Sequence, residues 1–308
     1  MTGTSGFIGS HLLRRLAGED LQVAILLRPE SDCWRIESLM DLQKITRITG
    51  DFRRPESIRD AVKSFAPSLV IHLAWSGVGN QFRNDLVQVD DNLSASLSLL
   101  RLARDAGCRA WVGLGSQAEY GPLNAQLDEQ AETKPTTLYG VTKLCTQMLS
   151  SHLCEQFGMR FCWLRLFSAY GPMDDPRWMI PELILSLLDG KRPALTKGSQ
   201  RWDYIYAGDV VDAIYSTAIN TEASGVFNLG SGEAHTLRSI VEQIRDLVNP
   251  KLDLGFGAVP FRADQVMHLQ ANVERLREVV GWRPQTSLAE GLAKTVEWYR
   301  EHRSQFKR

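Results

Sequence analysis

The chain has 308 residues, of which 44% are apolar and 23% charged, and its formal net charge is −1. This composition is typical of a globular protein with one or two buried cores and argues against disorder. Because basic residues are not in excess, we expect no nucleic-acid partner. We also expect no membrane partner, since no apolar run approaches the roughly 20 residues that cross a bilayer.

Five cysteines are present, and none belongs to a Cys-x-x-Cys pair. Several lie among apolar residues, as buried free thiols do. This usage predicts a reduced, cytoplasmic protein without a structural zinc or another metal. The opening residues show no basic segment followed by an apolar one, so we predict no signal peptide.

The first two-fifths of the chain alternate short apolar runs with helical patterns. Runs without polar alternation indicate strands buried on both faces, and the helix-sized segments between them indicate right-handed βαβ units. The predicted strands are 21–27, 45–49, 69–73 and 110–114, and the predicted helices are 7–18, 55–65 and 87–107. The sequence therefore predicts an α/β fold with a doubly wound parallel sheet, that is, a Rossmann fold.

The rest of the chain predicts a smaller mixed α/β lobe. After Pro172 the elements become shorter and are separated by Pro, Gly and Asp. The predicted elements are helix 138–157, strand 161–167, a loop or short strand at 190–199, strand 201–206, helix 209–220, strand 226–229 and helices 237–248 and 288–302. We expect one domain at 1–167 plus about 206–228, and a second at 168–205 plus about 229–308.

Residues 2–9 read TGTSGFIG and precede an amphipathic helix. Glycines at this spacing allow a tight turn, close approach of the backbone to a pyrophosphate, and close packing of helix on strand, while the helix N-terminus offers free N–H donors. Glycines also punctuate ordinary turns, but these occur at the correct place in a βαβ pattern. We predict a dinucleotide-binding loop formed by Gly3, Ser5, Gly6, Phe7, Ile8 and Gly9.

The predicted fold requires a buried strand before Gly3, where the sequence supplies only Met1 and Thr2. Without that strand, backbone groups of its neighbours would be left unpaired. Our hypothesis is that the chain begins upstream, with Met1 at the place of the valine in a Val-Thr-Gly strand end.

Arg28 bears on the choice of dinucleotide. An acidic residue about 20 positions after the glycines would bind the ribose 2′-hydroxyl of NAD, and Arg28, which can pair with a 2′-phosphate, stands there instead. We therefore favour NADP(H). NAD(H) is the alternative, with Arg28 a solvated charge and Glu30 or Asp32 at the ribose. Asp51, after the strand at 45–49, is expected to contact the adenine edge, or else to serve as a turn or cap residue.

Tyr139 and Lys143 lie four residues apart on a predicted helix, so both project from one face. A nearby ammonium favours the phenolate and brings a hydroxyl with an unperturbed pKa of ~10 into range as general acid or base. The alternative is a surface pair. Ser116 follows the strand at 110–114, where open α/β sheets place ligands. It could bind a substrate oxygen, or simply cap a turn.

Together these motifs resemble the extended short-chain dehydrogenases/reductases, and within them the nucleotide-sugar branch of NAD-dependent epimerases/dehydratases. The resemblance covers nearly the whole chain. It rests on the glycine loop, Asp51-Phe52, His72-Leu73-Ala74, Ser116 with Tyr120-Gly121, Tyr139 with Lys143, LRLFSAYGP (164–172), RWDYIYAGDV (201–210), FNLGSG (227–232) and GWRP (281–284).

The resemblance implies roles for individual residues. Ser116, Tyr139 and Lys143 would form the catalytic triad, with Lys143 also binding the nicotinamide ribose. Near the cofactor it places Phe52, Leu73, Ala74 and Asn92, and on the substrate side Trp75, Gln117, Ser168, Arg201 and Arg262. Arginines suit a diphosphate, although the last three residues could instead be surface or structural. The second lobe would carry a nucleotide sugar, and the family often forms homodimers through two helices, here 92–106 and 138–157.

Departures from the family pattern guide the choice of reaction. The family's 4,6-dehydratases place Asp-Glu directly after the active-site Ser/Thr, where this chain has Gln117 and Ala118, which exchange no proton at neutral pH. Glu119 is one position out of register and would point elsewhere. Dehydration is therefore disfavoured.

We expect an NADPH-dependent 4-ketoreductase acting on a nucleotide-linked 4-keto-6-deoxyhexose. The main alternative is a C4 epimerase with tightly bound NAD, which Arg28 and the replacement of the family's asparagine by Ser168 make less favoured. A non-catalytic cofactor sensor is disfavoured because Tyr139 and Lys143 are both present.

Overall fold

The computed structural model describes residues 1–262 and 265–306. The strands are, in chain order, β1 (Val23–Leu27), β2 (Ile45–Thr49), β3 (Leu69–His72), β4 (Ala110–Ser116), β5 (Ala125–Leu127), β6 (Arg160–Leu166), β7 (Ser168–Tyr170), β8 (Ala194–Leu195), β9 (Arg201–Tyr206), β10 (Gly225–Leu229), β11 (Ala234–Thr236), β12 (Gly255–Phe256) and β13 (His268–Ala271). The α-helices are α1 (Phe7–Ala17), α2 (Arg59–Phe65), α3 (Ser94–Asp105), α4 (Leu138–Phe157), α5 (Met179–Leu188), α6 (Ala207–Ile219), α7 (Leu237–Val248), α8 (Glu274–Val280) and α9 (Leu288–Glu301).

The first region is a parallel sheet between two layers of helices, as predicted. β10, β6, β4 and β3 pair in that order, and β1 pairs with β2. The apolar runs behave as the pattern requires, because β4 and β6 are buried along almost their whole length. Two apolar cores, one on each face, hold α1 and α6 on one side and α2 and α3 on the other. The arrangement places the carboxyl ends of these strands along one edge.

Residues 1 and 2 lie between β1 and β3. The Thr2 amide donates to the Ile71 carbonyl at 3.0 Å, and the Leu26 amide donates to the Met1 carbonyl at 3.0 Å. Beyond Met1 the gap between the two strands continues as an apolar cavity of about 190 Å³, which we call the strand slot. Its lining includes Leu16, Val23, Leu69, Ile71 and Leu99. The upstream strand of our hypothesis stays a prediction, and the slot is where such a strand would lie.

The predicted helix at 87–107 is divided in two. Residues Gln88–Leu93 form a π-helical turn, and α3 begins only at Ser94. The side-chain amide of Asn92 causes the change, since it donates to the carbonyls of Val87 (3.3 Å) and Gln88 (3.2 Å) and so competes with the helical ladder.

The second region is a mixed sheet with helices packed beside it. β11, β9, β13 and β5 pair in that order, β7 also pairs with β9, and β8 pairs with β12. β5 comes from the segment before residue 167, inside the range expected for the first domain. The helices α5, α7 and α9 form the main apolar core of this region. Within the described residues, no helix is long and apolar enough to span a membrane.

Candidate active site

A cleft of about 1280 Å³ lies between the strand ends of the first sheet and the second region. The residues that follow the parallel strands line it, including Arg28 after β1, Leu73 after β3 and Phe167 after β6. Ser116, the last residue of β4, faces the same space. The cleft thus occupies the position at which open parallel sheets bind ligands.

All six predicted residues of the glycine loop line this cleft. Gly6 is the N-cap of α1 and no side chain caps the helix, so the first N–H groups of α1 face the loop. Gly9 has to be glycine, because a Cβ there would lie 1.9 Å from the Gly3 carbonyl oxygen. A free helix N-terminus beside a tightly folded glycine loop fits the pyrophosphate of a dinucleotide.

The wall of the cleft at the end of β1 is basic. Arg28 lines the cleft with 44% of its side chain exposed, and its Nε lies 3.5 Å from Glu30. The Ser31 hydroxyl accepts from the Arg28 amide at 3.0 Å and lines the same wall. Asp51 and Phe52 also line the cleft, but the Asp51 carboxylate accepts two hydrogen bonds from the Arg53 guanidinium. The carboxylate is therefore already partnered where an adenine contact is expected.

Ser116, Tyr139 and Lys143 come together in the middle of the cleft. All three are buried, with Lys143 only 4% exposed. The Thr137 hydroxyl caps α4, which places Tyr139 and Lys143 on its first two turns. The Lys143 amine donates to the Leu114 carbonyl at 2.6 Å and lies 3.6 Å from the centre of the Trp75 ring. The structure thus brings the three predicted residues to one point beside the glycine loop.

Burial shapes the proton chemistry of this group. It raises the pKa of the Tyr139 phenol, while hydrogen bonding with Ser116 and the positive charge of Arg83 act in the opposite direction. Burial also lowers the pKa of the Lys143 ammonium to about 7, although the charge of Glu119 acts to raise it. A lysine that titrates near neutrality is a recurring feature of functional sites.

The loop after β3 forms one wall of the cleft and is held by buried amides. Leu73, Ala74 and Trp75 line the cleft. Gln88 accepts from the Trp75 indole N–H at 2.9 Å, and Asn92 accepts from the Ser76 amide at 2.7 Å. Among the described residues that line the cleft, Asn92 is not included. It braces this loop from behind.

On the substrate side the structure brings four of the five predicted residues to the cleft, namely Trp75, Gln117, Ser168 and Arg262. It does not bring Arg201 there, since the Arg201 guanidinium donates to the Ala234 carbonyl at 2.9 Å, outside the described lining. In β9 the residues that face the cleft are instead Trp202 and Tyr204, on the opposite face of the strand.

Sequence reasoning missed several lining residues. They are Arg83, Asp174, Arg177, Trp178, Glu182, Lys191 and Arg192. Most lie in or beside α5, which the pattern did not predict because Pro181 interrupts it. The structure accommodates Pro181 in the first turn of the helix, where its missing N–H has no partner to lose. The apolar run of α5 is the sequence signal for those of these residues that lie in or beside this helix.

The two residues directly after Ser116, at the positions where the resemblance places the acid–base pair of the 4,6-dehydratases, are Gln117 and Ala118. Gln117 lines the cleft, whereas Glu119 is 0% exposed, accepts from Arg165 and is not among the described residues that line the cleft. Within the described residues, no group of three or more His, Cys, Asp or Glu side chains could hold a metal ion.

Comparison with known proteins identifies the family of the chain and confirms its fold. The sequence model of the NAD dependent epimerase/dehydratase family matches residues 1–230. UDP-glucuronate 4-epimerase of Thermodesulfobacterium geofontis is 25% identical over 98% of this chain and 96% of its own. dTDP-D-glucose 4,6-dehydratase of Mus musculus is 24% identical over 98% of this chain and 88% of its own. The solved UDP-glucose 4-epimerase of Thermus thermophilus, in complex with NAD, superimposes with a TM-score of 0.85 at 24% identity over 97% of each chain, which confirms the predicted fold.

Proposed function

Since the chain belongs to the NAD dependent epimerase/dehydratase family, whose members are enzymes of the extended short-chain dehydrogenase/reductase type, we propose that it is an NADPH-dependent 4-ketoreductase. Its substrate would be a nucleotide-linked 4-keto-6-deoxyhexose. The observation that carries the proposal is the convergence of Ser116, Tyr139 and Lys143 on the cleft that the glycine loop also lines.

Each of the three residues has a task in carbonyl reduction. The nicotinamide, when bound, supplies the hydride that C4 of the sugar gains. Tyr139 donates its hydroxyl proton to the carbonyl oxygen, so that C4 gains a hydride and the oxygen a proton. Ser116 holds that oxygen by a hydrogen bond, and the Lys143 ammonium stabilises the phenolate that remains.

The preference for NADP(H) is supported by the basic wall at the end of β1. A 2′-phosphate would find the Arg28 guanidinium and the Ser31 hydroxyl there, whereas Glu30 and Asp32, the acidic candidates for the ribose of NAD, are not among the described residues that line the cleft.

The substrate assignment is supported by the charge and shape of the far half of the cleft. Arg262 lines it together with three ion-paired cations, Arg177, Lys191 and Arg192, and with the acidic residues Asp174, Asp175 and Glu182. The cations suit a diphosphate. The aromatic rings of Trp178, Trp202 and Tyr204 line the same half and offer surfaces for a base or a sugar ring.

A C4 epimerase is the second candidate. Relatives named as 4-epimerases favour it, among them the UDP-glucuronate 4-epimerase described above. Gln117 and Ala118 at the dehydratase acid–base positions, with Glu119 turned into the core, leave the 4,6-dehydratase reaction with no support from this site.

One experiment separates the two candidates. Purified protein is incubated with NADPH and a panel of dTDP-, GDP- and CDP-4-keto-6-deoxyhexoses while the absorbance of the reduced nicotinamide is followed. We expect consumption with at least one sugar. Absence of consumption across the panel, together with NAD in the purified protein and interconversion of C4 epimers, would establish the epimerase instead.

The proposal includes a homodimer that forms through α3 and α4. These helices pack side by side, and α4 exposes a stripe of apolar side chains at helical spacing, formed by Val141, Met148 and Leu149, with Met148 59% exposed. Light scattering should report a dimer that Met148→Glu weakens. Ile219→Glu, on the exposed face of α6, should leave the dimer unchanged.

A further inference from the structure

We propose that Glu119, bound to Trp163 and Arg165, is a positioning residue that fixes the backbone of Ser116 and presents negative charge to Lys143 from beneath the cleft. The inference rests on the proposed function only in assigning Ser116 and Lys143 to catalysis. The contacts themselves lie in the core of the first region.

Three donors converge on the Glu119 carboxylate. The Ser116 amide and the Trp163 indole N–H each donate to Oε1 at 2.9 Å, and Arg165 Nε donates to Oε2 at 2.7 Å. The Ser116 hydroxyl in turn accepts from the Ala118 amide at 3.2 Å, which completes a capping box around the short helix Gln117–Glu119. Ser116 is therefore held from both directions.

Gly115, the residue before Ser116 in β4, makes room for this cluster. A Cβ on Gly115 would lie 2.2 Å from Trp163 Nε1 and 2.5 Å from Glu119 Oε1. The glycine before Ser116 is thus required by the carboxylate cluster.

The buried ion pair between Glu119 and Arg165 is costly to desolvate, and such a pair is weak evidence of a role in stability alone. A role at the neighbouring site accounts better for its presence.

Trp163 lies near Lys143 and is hydrogen-bonded to Glu119. The Lys143 amine lies 5.9 Å from the centre of the Trp163 ring, whose N–H is bound to Glu119. The charged or titratable groups around Lys143 are Tyr139 on its own helix, Glu119 on the short helix, His72 on β3, Arg83 in the loop before α3 and Arg165 on β6. Burial lowers the pKa of His72 to about 3, so that residue is neutral and Glu119 is the anion in this set.

The sign of the effect follows from this arrangement. A carboxylate favours the charged form of a lysine and the neutral form of a tyrosine, so Glu119 acts to raise the pKa of both Lys143 and Tyr139. Glu119→Gln removes the charge and keeps an acceptor. We expect the Lys143 pKa to fall below about 7 in this variant, and the alkaline limb of ketone reduction to move to lower pH.

The test observes Lys143 directly and needs no sugar. In cofactor-saturated protein labelled with ¹⁵N-lysine, the Nζ signal of Lys143 is assigned by its loss in Lys143→Met and titrated with pH. We expect the midpoint in Glu119→Gln to lie at least about 0.5 pH unit below that of the unchanged protein. Glu129→Gln removes a half-buried carboxylate that binds the Asn228 amide instead, and should leave the midpoint in place. Equal midpoints in Glu119→Gln and the unchanged protein would overturn the proposal.

A second variant guards against a folding failure. Glu119→Asp keeps the charge but is one methylene shorter, so it should retain a Lys143 midpoint close to that of the unchanged protein while the Ser116 amide exchanges with solvent at least about tenfold faster. Unchanged exchange of that amide would contradict the positioning of Ser116. Failure to reduce any sugar in the panel, with the midpoint shift present, would count against the proposed function alone.

Discussion

The two halves of the cleft are built differently. The cofactor half consists of strand ends of the parallel sheet, the glycine loop that leads into α1, and Tyr139 on the 20-residue helix α4. The substrate half consists of strands of two to six residues, connecting segments and α5, and its cations lie in or between these elements. Regular elements position side chains by repeating geometry, whereas the second half depends on packing between short segments.

Because of this difference, the two halves should respond differently to substitution. A change in the glycine loop alters backbone that has no room to move, so its effect should be large. A change of one cation in the substrate half leaves the other cations in place, so its effect should be graded.

The largest effect is expected in the cofactor half. Gly9→Val places a side chain against the Gly3 carbonyl, and we expect dinucleotide affinity to fall by at least about 100-fold, measured by quenching of tryptophan fluorescence. Gly18→Ala at the other end of α1 meets only an ordinary contact and should bind the dinucleotide normally. Normal dinucleotide binding by Gly9→Val would contradict the assignment of the glycine loop to the dinucleotide.

A smaller effect in the same half tests the choice of dinucleotide. Arg28→Glu replaces the cation beside Ser31 with an anion, and we expect the ratio of NADP(H) to NAD(H) affinity to fall by about 10- to 100-fold. The measurement is titration of both dinucleotides by calorimetry. A ratio that does not move would favour the alternative in which Arg28 is a solvated charge.

The substrate half offers a matched pair of arginines. Arg262→Ala removes a cation from the cleft, and we expect KM for the nucleotide sugar to rise by about tenfold with cofactor affinity unchanged. Arg201→Ala removes a guanidinium bound to the Ala234 carbonyl and should leave KM unchanged. Equal effects of the two substitutions would contradict the lining that the structure assigns.

The smallest effect concerns the strand slot. Adding the four residues Val-Leu-Val-Val before Met1 supplies an apolar strand for this cavity, and we expect Tm to rise by a few degrees. An added Gly-Ser-Gly-Ser segment serves as the control. Equal melting temperatures for the two extended proteins would show that the slot does not accept a strand.

The same contrast between regular and short elements explains which parts of the structure the sequence predicts. β2, α4, β9 and α7 begin and end at the predicted residues, because each has at least five residues that carry a strand or helix pattern, and Thr137 caps α4. The unpredicted strands of the second region, β5, β7, β11, β12 and β13, have only two to four residues each, too few to form a pattern. The parallel sheet and the meeting point of Ser116, Tyr139 and Lys143 were therefore predictable.

Other parts depend on tertiary packing that no local pattern contains. Alternation in β9 says that Arg201 and Trp202 face opposite sides, and only the packing of the strand decides which side is the cleft. Arg83 lies in a loop without periodicity, yet its guanidinium lies 5.1 Å from the centre of the Tyr139 ring. In the sequence Glu119 is an acidic residue one position out of register. The positioning role that we propose for it depends on its contacts with Trp163 and Arg165, which no local pattern contains.

The most direct test of the central claim is single-turnover hydride transfer from NADPH deuterated at C4 of the nicotinamide. With a sugar from the panel, the account predicts loss of reduced-nicotinamide absorbance and deuterium at C4 of the product. Tyr139→Phe should slow that step by at least about 100-fold while retaining the cofactor, whereas Tyr215→Phe, whose hydroxyl binds Glu19 on the surface, should not. Transfer at an undiminished rate in Tyr139→Phe would contradict the account.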